Sequence, residues 1–350
     1  MNNKKMTMTQ KTSCKERSSK FLSPTLINNQ GAKLTLTNYG ASIVSLEIPN
    51  KKGELINVVV GLDSVKDYQE VAYHSSAKFL GASIGRYAGR ISTGGFTINN
   101  KEYRLYQENG VHLHGGPEGF DKKVWEVESI DYSTNTVVFS YLSRHLEEGY
   151  PGNLEAKAIY HLSDNNVLDI TYKAVTDQDT FVNLTNHAYF NLNGSNNILD
   201  HSLLLDCSEY LEVDSKQLPT GELISVTGTK FDFLEPKNLR SLANFGLIDD
   251  TFIYKTKNGE SVDKIKAKLV SPVSGLQMKI KTNQSAVVIY TPENLPHWNF
   301  KNQTKYDRFP AICFENQNYP DAPNHHHFPS SLLKVGEEYE NRSVFEFSII

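Results

Sequence analysis

The hydrophobic pattern of this chain repeats every second residue and is cut at short intervals by turn formers. Lys33-Leu34-Thr35-Leu36-Thr37 alternates and stops at Asn38-Tyr39-Gly40. Ala41 to Ile48 resumes the pattern, and Pro49-Asn50-Lys51-Lys52-Gly53 turns the chain again. Phe96-Thr97-Ile98 and Tyr103-Arg104-Leu105 flank Asn99-Asn100-Lys101-Glu102 in the manner of a hairpin. Residues 136–141, 155–162, 167–174 and 287–290 read as further strands, with Thr and Tyr at outward positions suited to a half-buried pleated surface. No segment sustains a 3.6-residue apolar period, and only 64–68 and 238–244 suggest short helices. Without strand–helix alternation or a GxGxxG run, a doubly wound nucleotide-binding fold is excluded. The pattern predicts an all-β chain, most economically a large antiparallel β-sandwich with few short helices; a barrel satisfies the same pattern.

The chain has 350 residues, 39% of them hydrophobic, enough for a sizeable core. No linker or shift in composition divides it after residue 21, so a single domain over 21–350 is expected. Residues 1–20 are rich in Lys, Ser and Thr, lack the apolar centre of a secretory signal, and are expected to form a mobile tail. Met6 and Met8 offer alternative starts. The net charge of −4, with both signs interspersed, points away from nucleic acid and from anionic membrane, and toward a small, roughly neutral partner. Cys14, Cys207 and Cys313 show no metal-binding spacing, and their odd number suits a reducing, cytoplasmic setting. The 18 Tyr and 17 Phe fill a β-core or line a cleft where flat rings pack on sugars; for any one residue the core role has precedence.

Three segments carry candidate chemistry. Glu315 closes the apolar run Ala311 to Phe314 and opens onto a polar, Pro-punctuated loop. His114 precedes two glycines in Leu113-His114-Gly115-Gly116, and His187 lies among amides and aromatics in Thr185-Asn186-His187-Ala188-Tyr189-Phe190-Asn191. One carboxylate and two imidazoles can supply a general base and a general acid around one small molecule. Gly85-Arg86-Tyr87-Ala88-Gly89-Arg90-Ile91 adds two guanidinium forks among small residues, fit for hydroxyl or carboxylate oxygens or for structural ion pairs. His325-His326-His327 suggests a metal site at first sight, but adjacent histidines on an extended strand alternate faces, and no Cys or carboxylate cluster completes a ligand shell.

Taken in order, these segments resemble the aldose 1-epimerase (galactose mutarotase) family from about Ser23 to the end. The resemblance also rests on Gly119-Phe120-Asp121 with Trp125, Ile248-Asp249-Asp250-Thr251-Phe252, Tyr290-Thr291-Pro292-Glu293-Asn294, and Phe314-Glu315-Asn316-Gln317 leading to Pro320-Asp321-Ala322. It implies a galactose mutarotase-like supersandwich with a sugar cleft on one concave sheet, and interconversion of the α and β anomers of a free aldose without metal or cofactor. Carried over by position, Glu315 matches the general base, His187 the general acid and His114 the second active-site histidine. Arg90 and Asp249 match residues that bind sugar hydroxyls, while His112 and Arg86 are assigned structural roles. The chemistry implies an ionised Glu315 and a protonated His187, with the cleft raising the imidazole.

Two positions depart from the family pattern: Gly89 and Val288 stand where amide side chains are frequent. Their loss leads to the expectation of a widened cleft and weaker binding of simple hexoses, with a reducing disaccharide as the alternative occupant. The resemblance leaves open whether the chain is a monomer or a homodimer. Rival readings are a non-catalytic carbohydrate-binding sandwich and, more remotely, a glycoside hydrolase with Asp249 as its second carboxylate.

Overall fold

The structure, a computed structural model, describes residues 21–76, 78–255 and 261–350. The expected tail over 1–20, and Cys14 with it, lies outside the described residues. Among the described residues the chain is built from antiparallel sheets. The larger has nine strands in the spatial order Glu126–Asp131, Thr136–Ser143, Leu154–Leu162, Val167–Thr176, Tyr339–Ile349, Leu276–Thr282, Ala267–Ser271, Ser202–Leu205 and Lys237–Asn238. A six-stranded sheet runs Tyr189–Phe190, Ile312–Gln317, Ala286–Tyr290, Asp249–Tyr254, Cys207–Val213 and Pro219–Ser225. A four-stranded sheet at the N-terminal end is formed by Thr25–Ile27, Lys33–Thr37, Ser42–Pro49 and Leu55–Asn57.

The two-residue period explains the sheets directly. Along Leu154–Leu162 every second residue, Leu154, Ala156, Ala158, Tyr160 and Leu162, is buried in the core. The six-stranded sheet contributes Phe252, Val287, Ile289, Ile312 and Phe314 to the same core. Aromatic rings join the inner faces: Phe190 on the smaller sheet lies 5.1 Å from Phe345 on the larger, centroid to centroid. The intervening residues of the smaller sheet therefore point to its other face, and that face carries the site.

The expected hairpin is present. Gly95–Ile98 pairs with Lys101–Arg104 around Asn99 and Asn100, both at positive φ (50° and 62°), the geometry that suits asparagine in a tight turn. The helices are short, as the weak helical periodicity predicts. Val65–Gln69 is capped by Ser64, whose hydroxyl accepts from the Lys66 N–H. Leu239–Ser241 runs into Leu242–Phe245 behind an Asn238 cap. No helix among the described residues is long and apolar enough to cross a membrane.

Arg86 takes the structural role expected of it. It is buried and donates to Ser143 Oγ and to the carbonyls of Ser143, Arg144, Pro151 and Gly152, so it ties two loops to the sheet instead of meeting a ligand. His112 is equally structural: Nδ1–H donates to the Tyr106 carbonyl (2.7 Å), and Nε2 accepts from the Tyr150 hydroxyl (2.8 Å).

Candidate active site

Strand register assembles the site. On the six-stranded sheet Glu315 pairs with Val288, and Val288 with Thr251. One row along, Tyr189 pairs with Cys313, Cys313 with Tyr290, and Tyr290 with Asp249. Carrying the Tyr189–Cys313 register two residues further sets His187 opposite Glu315. The side chains meet there, His187 Nε2 lying 3.4 Å from Glu315 Oε1. His187 is held from behind by its own backbone: its N–H donates to the Ala82 carbonyl, and its carbonyl accepts from the Gly81 N–H. Tyr189 stacks on the imidazole at 5.0 Å and 17°.

His114 comes from a different part of the fold. Leu113 pairs with Arg90, which brings the histidine turn and the arginine loop together. The Gly89 N–H donates to His114 Nδ1 (3.1 Å), so the ring is an Nε2–H tautomer whose remaining N–H is free to serve a ligand. The glycine after it is required by space: a Cβ on Gly115 would lie 1.9 Å from the Gly85 carbonyl oxygen. Phe79 covers both imidazoles, at 4.9 Å from His114 and 5.6 Å from His187. Arg90 Nη2 contacts Asp249 Oδ2 at 3.3 Å, fixing both side chains at the cavity edge.

Together these groups line a cavity of about 230 Å³ with Val288, Thr251, Tyr290, Pro320 and the hairpin residues Val213, Gln217 and Pro219. All five residues expected at the site, Glu315, His187, His114, Arg90 and Asp249, meet here. Phe79 and Gln217 had no sequence signal, and Thr251 was marked only as a member of the Asp249 motif. Thr251 and Phe79 are identified by register and packing, and Gln217 by a hairpin that borders the cleft. A roomier cleft of about 530 Å³ lies elsewhere, bordered by Asn283, Gln284, Glu338, Glu340 and Arg342, but no histidine is among its described lining residues.

Burial sets the electrostatics. Glu315 and His187 are 2% and 3% exposed. Desolvation pushes the Glu315 carboxyl well above its ordinary value, with the Asp249 charge adding to the rise and Arg90 opposing it. Desolvation drives His187 down to about 3, and His114 well below 6.5 with the neighbouring His187 and Arg90 contributing. This corrects the expectation of a raised imidazole and a carboxylate held ionised. Enclosed by protein, each group favours its neutral form, because neither has a full set of hydrogen bonds to hold a charge. Glu315 Oε2 and His187 Nδ1 are buried with no hydrogen-bond partner.

Gly89 also behaves differently from expectation. It sits at φ +82°, and a Cβ there would lie 3.1 Å from Gln317 Nε2 and 3.1 Å from Pro320. The space freed by the missing side chain is filled by Gln317 and Pro320, so no widening results on that side. Val288 does line the cavity and leaves an apolar stretch between Glu315 and Thr251.

His114, His187 and Glu315 also have donor atoms within 4.8 Å of one another, a set able to hold a divalent ion. Proton transfer and metal ligation make rival use of the same atoms. The 325–327 histidine run is engaged otherwise: His325 stacks on Phe328 at 4.6 Å, and His327 bonds the Gly221 carbonyl at 2.9 Å.

A family profile described as aldose 1-epimerase matches residues 23–346. The chain belongs to the aldose 1-epimerase family. It is 38% identical over 324 residues to a galactose mutarotase of Bos taurus, covering 91% of each chain. It is 35% identical over 337 residues to an aldose 1-epimerase of Escherichia coli K12, covering 92% of this chain and 94% of that one. Among solved structures, the GalM/aldose epimerase homologue from C. elegans superposes with a TM-score of 0.86 at 30% identity, over 95% of this chain and all (100%) of the other. A galactose 1-epimerase from Lactobacillus acidophilus gives 0.79 at 28% identity, over 94% and 98%. The all-β sandwich expected from the sequence is the fold of this epimerase family.

Proposed function

We propose that this family member is an aldose 1-epimerase, an isomerase that opens and recloses the ring of a free aldose with Glu315 as base and His187 as acid. The observation that carries the assignment of roles is the buried 3.4 Å contact between His187 Nε2 and Glu315 Oε1 on the floor of the cavity. A binding site has no need of an acid and a base whose burial disfavours both charged forms; such a pair suits proton transfer.

Glu315, as carboxylate, takes the proton of the C1 hydroxyl. The C1–O1 bond becomes a carbonyl, the C1–O5 bond breaks, and O5 takes the proton of the His187 imidazolium. Rotation about C1–C2 and reversal of the proton flow close the other anomer. The carboxylate–imidazolium pair and the acid–imidazole pair hold the same single proton. After ring opening both groups are neutral, the state that burial favours; from that state the shared proton must first pass from Glu315 to His187, a step that burial opposes and that hydrogen bonds to the bound sugar have to offset. The free Nε2–H of His114 is suited to donate to the ring oxygen, and the Arg90–Asp249 pair to hold ring hydroxyls. Correct placement matters because small displacements spoil proton-transfer geometry.

The cavity, at about 230 Å³, falls below the roughly 300–1,000 Å³ typical of drug-sized ligand sites, which favours a single hexose ring over a reducing disaccharide. Residues 21–350 act as one domain in this reading, because the two sheets share one core beneath the site. Polarimetric traces of freshly dissolved α-glucose, α-galactose and maltose, with and without the protein, test the proposal. Acceleration of a hexose is expected; no acceleration of any of the three would overturn it.

A further inference from the structure

Gln217 sits at the tip of the hairpin formed by Cys207–Val213 and Pro219–Ser225, the outer strands of the six-stranded sheet. The turn uses its backbone but not its side chain: the Gln217 N–H donates to the Asp214 carbonyl (3.0 Å). Asp214 Oδ1 accepts from the Lys216 and Leu218 N–H groups (2.8 and 3.0 Å), and the Asp214 N–H donates to the Leu218 carbonyl (2.9 Å). Gln217 occupies the left-handed region at φ +61°, where glycine or asparagine would be less strained. Gln217 lines the cavity of Glu315 and His187. The carbonyl oxygen Oε1 is buried with no hydrogen-bond partner. On the strand row that starts at Glu315, the next residue is Val288, which offers no polar group.

A long amide in a strained turn beside a cavity, with its carbonyl buried and unpaired, is a group that lacks its partner. We infer that Gln217 is a sugar-binding residue whose side-chain carbonyl accepts a hydrogen bond from a ring hydroxyl in a cleft where Val288 supplies no polar group. This rests on the proposed sugar site and names one further determinant of its specificity.

Two variants test it. Gln217→Leu removes the amide at similar size, and Gln217→Gly removes the whole side chain from a backbone conformation glycine accepts. Calorimetric titration with galactose and glucose, alongside polarimetric kinetics, is expected to show sugar binding weakened about two- to tenfold in both variants, the worth of one neutral hydrogen bond. The loss should fall on KM rather than kcat. Repeating the titration with 2-, 3-, 4- and 6-deoxyhexoses should reveal one sugar that the wild type and Gln217→Leu bind equally, because its missing hydroxyl is the partner. The inference is overturned if every deoxy sugar keeps the full difference, if both variants bind as the wild type does, or if only the leucine variant loses affinity. A wild type that binds sugar in the calorimeter without catalysing mutarotation would refute the functional reading and leave this one standing.

Discussion

Replacing Glu315 by Gln separates the chemical and the structural consequences of one buried carboxyl. The amide keeps the size of the side chain and can still bond His187 Nε2, 3.4 Å away in the wild type, but it cannot accept the C1 hydroxyl proton. Loss of a positioned general base typically costs about 10²–10⁴-fold in rate, or roughly 3–5 kcal/mol of barrier at about 1.4 kcal/mol per tenfold. Stability should move the opposite way. The folded carboxyl titrates well above its ordinary value of 4.5 because burial disfavours its charge. Its contribution to stability is therefore full below that value and is lost as the pH rises toward the folded value. Each unit of the rise is worth about 1.4 kcal/mol. The amide does not titrate, so the Tm difference in favour of Gln should grow as the pH is raised from 4.5. Polarimetry of α-galactose and thermal melts between pH 4 and 9 measure both effects. A variant keeping more than about a tenth of the wild-type rate would remove Glu315 from proton transfer. A Tm difference that does not change with pH would refute burial as the main cause of the raised carboxyl.

Other outcomes follow from the same geometry. His187→Asn should slow mutarotation by about 10²-fold or more, and His114→Asn should impair it too. The wild-type profile of kcat/KM should be broad, because the pair must hold one proton. On the acid side activity falls only where a second proton reaches His187, near its lowered value of about 3; on the alkaline side it falls where Glu315 gives up the shared proton. An acid limb centred at the ordinary imidazole value of 6.5 would contradict this. Gly89→Asn should not improve KM for hexoses, because its Cβ would press on Gln317 and Pro320 at 3.1 Å and φ is +82°; denaturant melts should show a loss of about 1–3 kcal/mol. Exhaustive EDTA treatment should leave mutarotation intact if His114, His187 and Glu315 move protons; loss on chelation with recovery by one divalent ion would assign them to a metal.

The period-two pattern determined that this chain builds antiparallel sheets, because alternate residues of a strand face opposite sides whatever the sheet order. It also determined, along Ile312–Gln317, that Ile312 and Phe314 share one face, which enters the main core, while Cys313 and Glu315 share the other, where Cys313 packs into a second apolar cluster and Glu315 lines the cavity. Ordered motifs marked Glu315, His187, His114, Arg90 and Asp249, since their residue types are readable without knowing where they meet. The pairing of Tyr189 with Cys313 was not readable. Strand order and register are set by long-range packing, and that register alone sets His187 against Glu315. The charge states were likewise beyond the sequence, because desolvation depends on what surrounds a group and not on its chain neighbours. The same holds for Gly89 and Gln217. The space beside the glycine is filled by Gln317, at the end of a strand distant in sequence, and by Pro320 just beyond it, and the amide reaches the cleft only because the outer hairpin borders it.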